Sequence, residues 1–168
     1  MAKVMVLYDS RGGLVEQLAQ SVFEGVRSVP GAELVERRID DAHPAELLEI
    51  DALILGSPNW SGMTGKLKAW VDQSGDLWES GELAGKPGAA FTAGWSPQGG
   101  LEATLLQLVH LLLSHGMLLV GIPWSERMRR SGAYYGATAV AQVTDDDRAQ
   151  ARSLGARVAE LAVRLAPA

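Results

Sequence analysis

The stretch VMVLYDSRGGLVEQLAQSVFEGV, Val4 to Val26, decides the fold. It opens on an apolar run, Val4 to Tyr8, that does not alternate with polar residues. Such a run suits a strand of a parallel sheet covered on both faces. It closes on Val15, Leu18, Ala19, Val22, Phe23 and Val26, which recur at helical spacing and make one apolar stripe. Between strand and helix lies a short loop that carries a hydroxyl, a cation and two glycines, Ser10-Arg11-Gly12-Gly13.

The same alternation continues outward from this unit. Ala52 to Gly56, Ala89 to Ala93 and Met117 to Ile122 read as further buried strands, and Glu33 to Arg38, which does alternate, reads as an edge strand. Met63 to Ser74 predicts a helix stopped by Gly75, and Leu101 to His115 one stopped by Gly116. Thr144 with Asp147 three residues on predicts a capped helix whose stripe is Ala151, Leu154, Val158, Leu161 and Leu165. The expected fold is α/β, a doubly wound five-stranded parallel sheet with helices on both faces, in one domain spanning residues 1–168. Ligands in such sheets bind beyond the carboxyl ends of the strands, so the loops to inspect follow Tyr8, Gly56, Ala93 and Ile122.

Composition narrows the chemistry. The chain of 168 residues has no cysteine, so thiolate metal sites, disulfides and cysteine nucleophiles are excluded and redox chemistry needs a borrowed cofactor. Net charge is -5 with scattered Lys and Arg, which argues against nucleic acid as a partner. The amino-terminal apolar run is too short for a signal segment, and no run reaches transmembrane length. A cytoplasmic protein without membrane insertion is expected. His43, His110 and His115 show no metal-ligand spacing, so no metal site is expected.

The loop after the first strand suits a phosphate. Its glycines let backbone N–H groups turn inward, and the following helix start adds partial positive charge. Gly12 and Gly13 equally suit a plain strand-to-helix turn. There is no GxGxxG after the first strand, and Lys66 lacks both the first glycine and the hydroxyl of a GxxxxGK[ST] loop. Two other loops, Gly56 to Met63 and Phe91 to Gly100, each carry a tryptophan, Trp60 and Trp95. Apolar walls with a few polar groups suit a flat heteroaromatic ring, and each indole alone equally suits core or interface packing. The helix from Leu101 is apolar on nearly every face, which predicts a subunit interface.

The segments VMVLYDSRGG, GSPNWSGMTGKLKAWVDQSGDLW, GKPGAAFTAGWSPQGGLEATL, LLLSHGM and YYGATAV, in that order, resemble the flavodoxin-like NAD(P)H:quinone oxidoreductases of the tryptophan-repressor-binding-protein (WrbA) family, in a short form. The resemblance implies a flavodoxin-like sheet of order 2-1-3-4-5 in a three-layer α/β/α arrangement, FMN as cofactor and NAD(P)H as co-substrate. By position it implies that Ser10, Arg11, Gly12, Gly13, Leu14 and Val15 hold the FMN phosphate. It places Pro58, Asn59, Trp60 and Ser61 on one side of the flavin ring. On the other side it places Thr92, Ala93, Gly94, Trp95, Ser96 and Gln98. His115 corresponds to a histidine that reaches a flavin in an assembled oligomer, and Trp78 to a tryptophan bordering the quinone and nicotinamide pocket. A homodimer or homotetramer is expected.

The departures are specific. Leu14 stands where the family has Thr or His, and Asp9 puts a carboxylate beside the loop. The connection from Asp40 to Asp51 lacks the insertion that is tied to tetramer formation, and the loop after Ile122 is short. Three readings follow: an NAD(P)H-dependent quinone reductase, a flavodoxin-type carrier shuttling electrons between redox proteins, and a flavin-free interaction module on the same fold.

Overall fold

The computed structural model describes residues 1–166, which form six strands and five α-helices. The strands are β1 (Ala2–Tyr8), β2 (Ala32–Arg38), β3 (Ala52–Pro58), β4 (Pro87–Gly94), β5 (Leu118–Leu119) and β6 (Ala137–Val140). The helices are α1 (Leu14–Arg27), α2 (Gly65–Asp72), α3 (Gly75–Ser80), α4 (Leu101–Ser114) and α5 (Asp145–Leu165). All strand pairs of the sheet are parallel, in the expected order β2-β1-β3-β4-β5.

Side-chain alternation along the buried strands divides the interior into two cores. Val4, Val6 and Tyr8 of β1 and Ala52 and Ile54 of β3 pack with α1 and α5. Met5 and Leu7 of β1 and Leu53 and Leu55 of β3 pack on the other face with α2 and α4. This is the period-two geometry of a strand buried on both sides, and it explains the unbroken apolar runs. The amphipathic stripe of α1 is wholly buried. On α5, Ala151, Leu154 and Val158 are buried, Leu161 is half-buried, and Leu165 has left the core. Thr144 and Asp147 form the expected reciprocal cap of α5.

Three expectations are corrected. The strand expected over Met117 to Ile122 contracts to Leu118–Leu119, and the missing length of the fifth position is supplied by β6. Leu118 and Leu119 pair with Pro87 and Gly88, whereas Ala137 to Val140 pair with Phe91 to Gly94, so β5 and β6 lie end to end along β4. Met117, Val120 and Ile122 are buried beside this edge, which explains their apolar character without a long strand. The loop after Ile122 therefore leaves the sheet midway along its edge and not at the carboxyl end. Finally, Gly75 does not stop a helix: α2 ends at a cap on Gln73, and Gly75 opens α3.

Candidate functional site

The carboxyl ends of β1, β3 and β4 open on a cleft of about 690 Å³. Its floor begins with the loop after β1. Ser10 is buried, and its Oγ accepts a hydrogen bond from the Gly12 N–H at 3.1 Å. Gly12 has φ +80°, a conformation that a side chain would strain. Helix α1 then starts at Gly13 with no side chain capping it. The first-turn N–H groups of a helix have no partner within the helix, so an uncapped start offers donors and partial positive charge to an anion. The space above Gly12 and Gly13 is open.

The loop after β3 forms the middle of the cleft, and its shape is set by a network around Asn59. The Asn59 Oδ1 accepts from the Gly62 N–H at 3.1 Å and from the Thr104 hydroxyl at 2.9 Å, while Nδ2 donates to the Gly99 carbonyl at 2.5 Å. Asn59 thus ties this loop both to the loop after β4 and to α4. Ser61, at φ 60°, completes the reversal, and the Trp60 N–H closes it on the Gly62 carbonyl. The Met63 N–H is held by Gln107 of α4 at 2.8 Å. This bracing leaves Trp60 71% exposed on the rim, and Trp95, from the loop after β4, is 79% exposed. Both indoles line the one cleft. Large aromatics left this exposed on either side of a concave site are unspent apolar surface.

Ser10, Arg11, Gly12, Gly13, Leu14, Val15, Pro58, Asn59, Trp60, Ala93, Gly94 and Trp95 meet around the cleft. Four other expected residues of these loops lie off its wall. Ser61 serves the turn, and Thr92 is fully buried, spending its hydroxyl on the Ser57 carbonyl at 2.7 Å. Ser96 and Gln98 are exposed beyond the wall.

His115 and Trp78 lie at the other edge of the sheet. Helix α4 runs back from the end of β4 to its start, about 21 Å at 1.5 Å per residue. His115 follows it, and the Trp78 indole donates to the Ser114 carbonyl at 2.7 Å. The His115 Nε2 lies 3.3 Å from the Ser74 Oγ, whose proton is directed to the Val71 carbonyl. Its Nδ1 is buried without a partner among the described residues. Burial holds the imidazole below its ordinary pKa.

Sequence reasoning missed Arg38, Asp40, Met63, Thr64, Gly65 and Lys66 as lining residues, and Asp9 also borders the cleft. Arg38 was recoverable, because a parallel β1/β2 pair brings its register partner Tyr8, and so Arg38, to the ligand edge. Lys66 pairs with Asp40, and this contact holds the Asp40 carboxyl below its ordinary pKa. Three cations, Arg11, Arg38 and Lys66, face two carboxylates, Asp9 and Asp40, in the lining, an excess of positive charge in a chain of net -5.

Comparison with known proteins now gives the family. Residues 40–126 match the NADPH-dependent FMN reductase family. An NAD(P)H dehydrogenase (quinone) of Archaeoglobus fulgidus is 37% identical over 191 aligned positions, covering 98% of this chain and 100% of the relative. The chain belongs to the NADPH-dependent FMN reductase family. A second family relative, an NAD(P)H dehydrogenase (quinone) of Gluconacetobacter diazotrophicus, is 37% identical over 198 positions, covering 98% of this chain and 99% of the relative. Both alignments exceed the 168 residues of this chain, so both relatives carry segments that it lacks. Among solved structures, a WrbA-like flavodoxin from Agrobacterium tumefaciens superposes with TM-score 0.79 at 29% identity, covering 98% and 99% of the two chains. A flavodoxin from the domain Archaea shares the fold, with TM-score 0.72 at 23% identity over 95% of this chain and 98% of that one.

The cleft fits FMN on its own geometry. An uncapped helix start under open glycines suits a terminal phosphate, and two exposed indoles suit a flat ring. Among the described residues no cluster could hold a metal ion, and no helix is long and apolar enough to cross a membrane.

Proposed function

We propose that this protein is an FMN-dependent oxidoreductase that takes two electrons from NAD(P)H and passes them to a quinone. The observation that carries this reading is the meeting, around one cleft, of an uncapped helix start and two largely exposed tryptophans. The names of the two dehydrogenase relatives support the same donor and acceptor.

When bound, FMN supplies the two-electron redox chemistry. The chain's own residues bind, orient and exclude water. The N–H groups of Arg11 and of Gly13 to Val15, with the Ser10 hydroxyl and the Arg11 side chain, would hold the phosphate, while the Gly12 N–H stays on the Ser10 Oγ. Leu14 offers that phosphate no hydroxyl and contributes only apolar surface. Trp60 and Trp95 wall the ring, and Pro58, Asn59, Ala93 and Gly94 line the remaining side. No side chain is assigned as an acid or base. Within one chain His115 and Trp78 stand a helix length from the cleft, so a role for either in flavin or quinone contact requires a second copy, in a homodimer or homotetramer. A single-domain, cytoplasmic enzyme is the accompanying proposal.

The test is steady-state oxidation of NADH and NADPH by FMN-loaded protein with benzoquinone as acceptor. Rapid turnover with parallel double-reciprocal lines is expected. A loaded protein that oxidises neither nicotinamide, and holds a stable one-electron-reduced flavin on photoreduction, would instead be an electron carrier.

A further inference from the structure

Arg38 ends β2, paired in register with Tyr8 at the end of β1. Its side chain crosses to the loop after β1, where Nη2 donates to the Ser10 carbonyl at 2.5 Å. No cap or turn hydrogen bond of α1 requires this contact. Its consequence falls on the loop. The peptide is planar and trans, so pinning the Ser10 carbonyl toward β2 turns the Arg11 N–H the opposite way. In the strand order β2-β1-β3-β4, that is the side on which the loops after β3 and β4 carry the rest of the cleft. The next N–H, of Gly12, is held by the Ser10 Oγ at 3.1 Å. Two successive peptides of the loop are therefore fixed by Arg38 and Ser10, with Gly12 at φ +80° and open space above Gly12 and Gly13.

We propose that Arg38 is a positioning residue that sets the anion-binding shape of the Ser10–Gly13 loop before any ligand arrives. A preset loop does not spend binding energy on ordering itself. The role needs the forked guanidinium as well as its charge, because one N–H must meet a carbonyl at a fixed angle. For its binding arm the proposal rests on the flavin reading of the cleft.

The test compares wild type with Arg38→Lys and Arg38→Met. Arg38 is exposed, so both variants are expected to melt like wild type. Dissociation constants are measured for FMN and for riboflavin, which lacks the phosphate. Loss of a charge-assisted hydrogen bond predicts FMN weakened by about tenfold or more in both variants. Riboflavin should stay within about twofold of wild type. Amide hydrogen exchange at Gly12 and Gly13, measured without flavin, should quicken in both variants. An Arg38→Lys protein with wild-type FMN affinity and wild-type exchange would reduce Arg38 to a point charge and overturn the proposal. Equal weakening of FMN and riboflavin would also overturn it, showing a general structural role. A wild type that does not prefer FMN over riboflavin would remove the phosphate reading itself. The exchange data, which need no flavin, separate that failure from failure of the positioning role.

Discussion

His115 shows what one buried atom does to pH dependence. Since the Ser74 proton is committed to the Val71 carbonyl, the 3.3 Å contact requires His115 to donate from Nε2, leaving Nδ1 buried and bare. Protonation would place an N–H at Nδ1 with no acceptor, and burial lowers the folded-state pKa below 6.5. The unfolded chain then takes up the proton first as pH falls. Stability from this residue is fully present above the unfolded value and is lost as pH drops through 6.5 toward the lowered folded value. Urea unfolding at neutral pH and at mildly acidic pH checks this. His115→Gln should lose less stability between the two than wild type, and equal losses would contradict the assignment. At this same scale, the loop Ser10 to Val15 is legible because its chemistry is contiguous in sequence. Arg38 is legible only through the β1/β2 register, because its partner is a carbonyl in the loop after a different strand, 28 residues away in sequence.

Elements differ in legibility for physical reasons. β1, β3 and β4 declare themselves because burial on both faces demands unbroken apolar runs. β6 hides, because Ala137-Thr138-Ala139-Val140 is short and small, and most of its burial comes from α5 and β4 closing over it. The join of α1 and α5 is equally silent. Gly25 and Gly155 face the opposing backbones so closely that a Cβ on Gly155 would lie 2.2 Å from the Val22 carbonyl oxygen, and one on Gly25 2.1 Å from that of Arg152. Neither glycine is needed for a turn, so in sequence they read only as poor helix formers. Gly155→Ala must push the helices apart and should cost roughly 1–3 kcal/mol, a fall in melting temperature of roughly 2–12 °C. Thermal unfolding followed by circular dichroism checks this, and an unchanged midpoint would contradict the close packing.

For the whole molecule, two surface features bear on function. One is the cleft, with its cationic excess. The other is the outer face of α4, where Leu106 and Leu113, seven residues apart on one stripe, are 47% and 52% exposed, with Leu118 and Leu119 of β5 also exposed. The apolar face is legible from the leucine run itself, and a second copy is expected to cover it. Light scattering should give a mass that is a multiple of 17.9 kDa, and a Leu106→Glu, Leu113→Glu double variant should give the monomer. A monomeric wild type at high concentration would contradict this.

That the cleft holds FMN by its phosphate is tested most directly by titration of FMN into the flavin-free protein. With flavin fluorescence as the signal, saturable binding of one FMN per chain is predicted. In the Ser10→Ala, Arg11→Ala double variant, loss of a charge-assisted contact with a second hydrogen bond should weaken it by about tenfold or more. A wild-type protein that leaves FMN fluorescence unchanged, or a double variant of undiminished affinity, would contradict it.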